Sequence, residues 1–144
     1  MDDPFQLSRF VIAQDAGGAY DDAVSELRAG RKRSHWMWFV FPQIAGLGQS
    51  SMSRAYAISS LAEAAAYLAH PVLGPRLQEC ARLVAETEGR TAQEIFGAVD
   101  AVKLRSSMTL FSHVAVDDVV REVLDRFFDG VPDPETERLL AGGG

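Results

Sequence analysis

The chain has 144 residues, 47% of them hydrophobic and 24% charged, which suits a single folded domain with one core and leaves too little for two. A net charge of −6 argues against a partner held by bulk attraction to a polyanion, so general nucleic-acid binding is not expected. Cys80 is the only cysteine, which excludes an intramolecular disulfide and argues against a thiolate zinc site.

The acidic start, Met1 to Pro4, has neither the basic nor the apolar part of a secretory signal, and a cytoplasmic location is expected. Asp3-Pro4 has the pattern of an N-cap followed by the first residue of a helix, with Phe5, Leu7, Phe10 and Val11 facing inward. Gly17-Gly18 marks a turn. A second helix runs from about Ala19 to Arg28, burying Tyr20, Val24 and Leu27 and stopping before Gly30. Trp36 to Phe41 has the content of a strand, but nothing else in the chain offers a partner strand. A short buried helix ended by Pro42 is therefore expected. The surrounding uncharged stretch, Ser34 to Ser53, is broken by Pro42, Gly46 and Gly48 and does not suit a membrane span.

A short helix is expected from about Ser51 to Ile58, and Ser60-Leu-Ala-Glu63 has the form of a capping box for one running to Ala69. Pro75 falls in the first turn of a helix whose inner side carries Leu77, Cys80, Ala81 and Val84. Thr91-Ala-Gln-Glu94 is a second capping box, with Gly97 as the stop. Asp100 is expected to cap a helix reaching about His113, with Leu104, Met108 and Phe111 on one face. Asp117-Asp118 opens the next, ended by Gly130, and Asp133-Pro134 opens the last. The chain thus reads as all-α, one domain over residues 1–144 made of roughly eight to ten short helices.

Several blocks carry a family resemblance: Arg31-Lys32-Arg33, His35-Trp36-Met37-Trp38-Phe39, Phe41-Pro42-Gln43, Gly46-Leu47-Gly48, His70-Pro71, and Lys103 with Ser106 to Phe111. With Asp3-Pro4-Phe5 at the start, they resemble the bacterial family numbered 1810 among domains of unknown function, over about residues 3–140. The resemblance implies a small helical domain and no particular reaction. A looser similarity of layout to helical domains of NAD and ADP-ribose metabolism carries no residue-by-residue match.

Three clusters could carry chemistry. Between Glu26 and Glu63 there is no acidic residue, while Arg28, Arg31, Lys32, Arg33 and Arg54 are all basic. Arg31, Lys32 and Arg33 could therefore hold an anion, Trp36 or Trp38 could stack on a planar ring, and His35 could handle protons near neutrality. A solvated basic face beside core aromatics is the plainer alternative. Gly46 and Gly48 precede Ser51 at an expected helix start, where backbone N–H groups could meet an anion, or where an ordinary turn is capped by a serine. Asp100, Lys103 and Ser107 project within an arc of about 60° on one helix. There Lys103 could serve as a catalytic amine or simply pair with Asp100.

Together these predict a concave site where the His35 segment meets Lys103, binding a small phosphorylated or nucleotide-like anion and open to hydrolase or transferase chemistry. His35 and Lys103 would be its catalytic groups. No metal, other cofactor or membrane contact is implied. The alternatives are a non-catalytic module docking an acidic protein or nucleic acid on the basic patch, and a structural protein with an apolar dimer contact.

Overall fold

The expected cap at Asp3-Pro4 sits one turn away from the helix it serves. Asp3 accepts hydrogen bonds from the backbone N–H groups of Leu7 (2.7 Å) and Ser8 (3.0 Å), and Gln6 adopts a left-handed conformation. The first helix therefore starts at Ser8, after a capped turn, rather than at Pro4. The computed structural model describes residues 3–142. In chain order its helices are α1 (Ser8–Asp15), α2 (Ala19–Arg28), α3 (Met37–Val40), α4 (Ser51–Ala55) and α5 (Leu61–Ala69). They continue with α6 (Leu73–Glu86), α7 (Ala92–Phe96), α8 (Ala98–Ser112), α9 (Val119–Phe128) and α10 (Pro134–Gly142). The fold is all-α, as expected. Among the described residues the only extended pairing is an isolated parallel bridge between Ile44 and Ile58.

The two longest helices organise the rest. α6 packs against α2, α5 and α9, while α8 packs against α5, α7, α9 and α10. Phe10, Leu27, Trp36, Phe41, Tyr67, Leu77, Leu104 and Phe111 are fully buried between them. Burying each large apolar side chain contributes about 1.5–3 kcal/mol. The aromatic rings meet at tilted or edge-on angles, Phe10 with Tyr67 at 5.1 Å and Tyr67 with Phe111 at 5.4 Å. The Trp36 to Phe41 segment forms the expected short helix, and Trp36, Met37, Phe39, Val40 and Phe41 are buried in this core.

Local signals set several helix ends. Thr91 and Glu94 complete a reciprocal capping box on α7, and Asp133 caps α10 through Thr136. At α5 only half of the expected box forms. Ser60 Oγ accepts the Glu63 N–H, but the Glu63 carboxylate turns to Ser59 N–H, Ser59 Oγ and Arg9. Asp100 lies in the first turn of α8 rather than at its cap, a position Gly97 takes. His70 caps the helix that follows it: its Nδ1 accepts from the N–H groups of Val72 and Leu73 at the start of α6.

The buried Gln14 side chain is paired across helices. Gln14 donates to the Phe39 carbonyl and the Tyr67 hydroxyl, and its own carbonyl accepts from Arg76. Among the described residues, no helix is long and apolar enough to cross a membrane.

Candidate functional site

The basic segment is built around an anion that the protein itself supplies. After α2 the chain reverses, and the Glu26 carboxylate accepts four hydrogen bonds. They come from Arg33 N–H (2.7 Å), Ser34 N–H (2.9 Å), Ser34 Oγ (2.5 Å) and Trp36 Nε1 (3.0 Å). Burial alone would raise the pKa of this carboxyl, but those donors together bring it down to about 2. The backbone N–H groups of Arg33 and Ser34 are thus occupied, and Trp36 is closed into the core against Phe41 and Phe96. Trp36 is a core residue, not a stacking face for a ligand.

The remaining side chains of the segment divide. Arg31, Arg33 and His35 are exposed, and none of the three has a side-chain hydrogen bond or ion pair among the described residues. Lys32 turns the other way. Its N–H bonds the Ile95 carbonyl at the end of α7, and its Nζ reaches the Ser34 carbonyl (2.5 Å), the Asp100 carboxylate (2.9 Å) and the Trp36 ring (5.2 Å). Lys103, one turn along α8, stands 3.5 Å from the other oxygen of Asp100 and lies over the Trp38 ring at 4.7 Å. The basic segment meets α8 through Lys32 and Trp38. His35 takes no part in those contacts.

Beside Lys103 opens a cleft of about 390 Å³. One wall is the outer face of α8, with Val99, Val102, Lys103 and Ser106. The lining is completed by Gln43, Leu47 and Gly48 from the loop leading into α4, by Ser53 of α4, and by Asp133 and Glu135. Val99 and Val102 are 71% and 60% exposed, although each belongs to a well-formed helix. Gly48 is needed for space: a Cβ there would fall 2.3 Å from Ser53 Oγ. Gly46 is needed for conformation, at φ 105°, and faces a smaller adjoining hollow.

The serines behave differently from expectation. Ser50, not Ser51, caps α4, accepting the Ser53 N–H, while Ser51 is exposed. α4 has only five residues and so carries little macrodipole. Ser107 is fully buried and its hydroxyl has no partner among the described residues, so it does not stand open to a ligand. Its neighbour Ser106 reaches the cleft, donating to the Val102 carbonyl and to Asp133.

Charge in the cleft is nearly balanced. Lys32 and Lys103 share Asp100, Asp133 is held by Thr136 and Ser106, and Glu135 pairs with Arg138 at 2.7 Å. Among the described residues, no group of three or more His, Cys, Asp or Glu side chains could hold a metal ion. A larger hollow, about 570 Å³, lies between the end of α8 and α9, where His113 is already bonded to Glu137 at 2.5 Å.

Residues 4–140 match the family described as "Protein of unknown function (DUF1810)". The chain belongs to that family. It is also similar to a solved structure, that of the conserved hypothetical protein Rv1873 from Mycobacterium tuberculosis. The two share 53% identity with a TM-score of 0.93, over 96% of this chain and 99% of that one. No curated protein matches.

Of the residues singled out in the sequence, the fold of this family member gathers Lys32, Trp38, Gly48, Asp100 and Lys103 at or directly behind one cleft. Arg31, Arg33 and His35 are exposed and do not line it, and Trp36 and Ser107 are buried. Val99 and Val102 were missed, although they carry a signal. They sit on α8 away from the stripe of Leu104, Met108 and Phe111, where a solvated helix face would carry polar residues.

Proposed function

We propose that the protein binds a small ligand in the cleft beside Lys103, with an electron-rich oxygen group at the ammonium and an apolar or flat body against Leu47, Val99 and Val102. The observation that carries this reading is the arrangement of Lys103: on the cleft wall, over the Trp38 ring, with its counter-ion already served by Lys32. An ammonium above an indole face is held in place and can still turn to an oxygen acceptor. A phosphate monoester such as a mononucleotide fits this description. A polyphosphate fits poorly, because Asp133 and Glu135 lie in the same cleft and like charges repel. Acid–base work by His35 is not part of the proposal, and no hydrolase or transferase step is assigned.

A thermal-shift screen of mononucleotides, NAD, ADP-ribose, sugar phosphates and small carboxylates tests it. A ligand at one hundred times its Kd adds about 2.7 kcal/mol of stability. The expected result is a shift that Lys103→Met removes while Arg31→Ala with Arg33→Ala preserves it. A shift that survives Lys103→Met would refute the reading, and no shift from any of these compounds would refute an anion as its ligand.

A second reading has its own observation: Arg28, Arg31 and Arg33 are all exposed on one short stretch of chain. Such a patch suits docking of an acidic protein or nucleic acid, with affinity that falls steeply as salt rises. Binding to an acidic polymer that is indifferent to salt would count against it.

A further inference from the structure

The chain has 14 basic residues, and all but Lys32 and Lys103 are arginine. Arginine serves three other ion pairs among the described residues, Arg9 with Glu63, Arg76 with Asp15 and Arg138 with Glu135. A guanidinium does not give up its proton in a protein, whereas an amine can become a nucleophile. The two side chains able to do so come from opposite halves of the sequence and meet on one carboxylate, Asp100. They are not equivalent. Lys32 is only 9% exposed and held by Asp100, the Ser34 carbonyl and the Trp36 ring. Lys103 is 20% exposed, lines the cleft, and stands at the longer distance of 3.5 Å from Asp100.

We infer that Lys103 is an amine nucleophile that condenses with the carbonyl carbon of a small aldehyde or ketone held in the cleft. The inference rests on the cleft being a ligand site, and it narrows the oxygen group to a carbonyl. The Lys103 ammonium first gives a proton to Asp100. Its Nζ lone pair then forms the C–N bond while the C=O π pair moves to oxygen. A proton passes from nitrogen to that oxygen, giving the neutral carbinolamine. Asp100 returns its proton to the hydroxyl, the C–O bond breaks and water leaves, and the product is an iminium. Charge and protons balance, and Asp100 ends as the carboxylate it began as. The Trp38 face that lies under the ammonium suits the iminium equally. Lys32 is a positioning residue, which holds Asp100 in place beside Lys103 as the proton is taken up and returned. Leu47, Val99 and Val102 are placed to cover an apolar substituent on the carbonyl.

The test uses the intact protein with butanal and cyanoborohydride, which reduces an iminium to a stable secondary amine, and maps adducts by mass spectrometry. Butanal is neutral, so the outcome does not depend on recognition of an anion. Lys103 should be labelled at least about tenfold faster than Nα-acetyl-lysine amide in the same tube. Asp100→Asn should slow it by about tenfold or more, and Lys32→Met should slow it with rescue by Lys32→Arg, each variant checked for native helicity. Labelling no faster than the free amine overturns the proposal, as does an unchanged rate in folded Asp100→Asn. If Asp100→Asn does not fold, the wild-type comparison with the free amine decides alone. A thermal shift from anions without enhanced labelling sinks this inference and leaves the cleft as a binding site. Enhanced labelling without any such shift supports the carbonyl chemistry against the anion reading.

Discussion

Glu26 Oε1 accepts the indole N–H of Trp36 at 3.0 Å and, through the same atom, the N–H groups of Arg33 and Ser34. One carboxylate thereby orders the loop that carries Lys32 to Asp100 and places the Trp36 ring in the core. Replacing it leaves donors without an acceptor, including the buried indole N–H, which costs about 2 kcal/mol. Glu26→Ala should lower stability by that amount in urea denaturation, with Glu26→Gln intermediate. The folded pKa, near 2, lies below the ordinary value of 4.5. The stabilisation is therefore complete above pH 4.5 and lost as pH falls through 2. Acid titration of Glu26→Gln should show a shallower loss of stability across that window than the wild type. Parallel curves for the two proteins would contradict this account.

Arg9 joins three segments through one guanidinium. It donates to the carbonyls of Phe5, Gln6, Ala55 and Ala57 and pairs with Glu63 at 2.9 Å, while the Glu63 side chain is only 3% exposed. Arg9→Met strands a buried carboxylate and should cost about 3 kcal/mol by denaturant unfolding. Adding Glu63→Gln should recover part of that loss, because the double variant no longer buries an uncompensated charge. Strict additivity of the two substitutions would show that the pair is not coupled.

Most helix boundaries were legible because their signals are local. The Gly17-Gly18 turn, the Thr91 to Glu94 box and the Asp133-Pro134 start lie within a few residues of the ends they set. The start of α1 was misread because Gln6 inserts a left-handed turn after Asp3, and no residue type announces it. The candidate site was half legible for a similar reason. Residue types pointed to Lys103, Asp100 and the Lys32 to Trp38 segment, but the partners that decide their roles are distant in sequence. Glu26 reaches across the reversal at Gly30 to occupy the donors of the loop, and Asp100 recruits Lys32 from the other half of the chain. Charge composition cannot distinguish a basic side chain that is already paired from one open to solvent, and this is what separates Lys32 from Arg31 and Arg33.

Cys80 is fully buried on the inner side of α6, as its helical position suggested, and burial pushes its thiol up to about 12. A thiol so far from ionisation carries almost no thiolate at neutral pH. Ellman's reagent should leave Cys80 unmodified in the native protein for hours and react at once in denaturant. Rapid native-state labelling would mean that α6 opens far more readily than its packing against α2, α5 and α9 implies.

Adjacent serines on α8 should respond to alanine with opposite signs. Ser106 Oγ donates to the Val102 carbonyl and to Asp133 Oδ2, the same oxygen that caps α10 through Thr136, so Ser106→Ala weakens the clamp between α8 and α10. It should cost about 1 kcal/mol. Ser107 Oγ is buried without any partner, and its desolvation is uncompensated. Ser107→Ala removes that penalty and raises helix propensity, and so should stabilise the protein by about 1 kcal/mol. Differential scanning calorimetry of the two variants gives the signs directly. A melting temperature lowered by Ser107→Ala would mean that the hydroxyl, one turn beyond Lys103, has an acceptor or a bound water in solution.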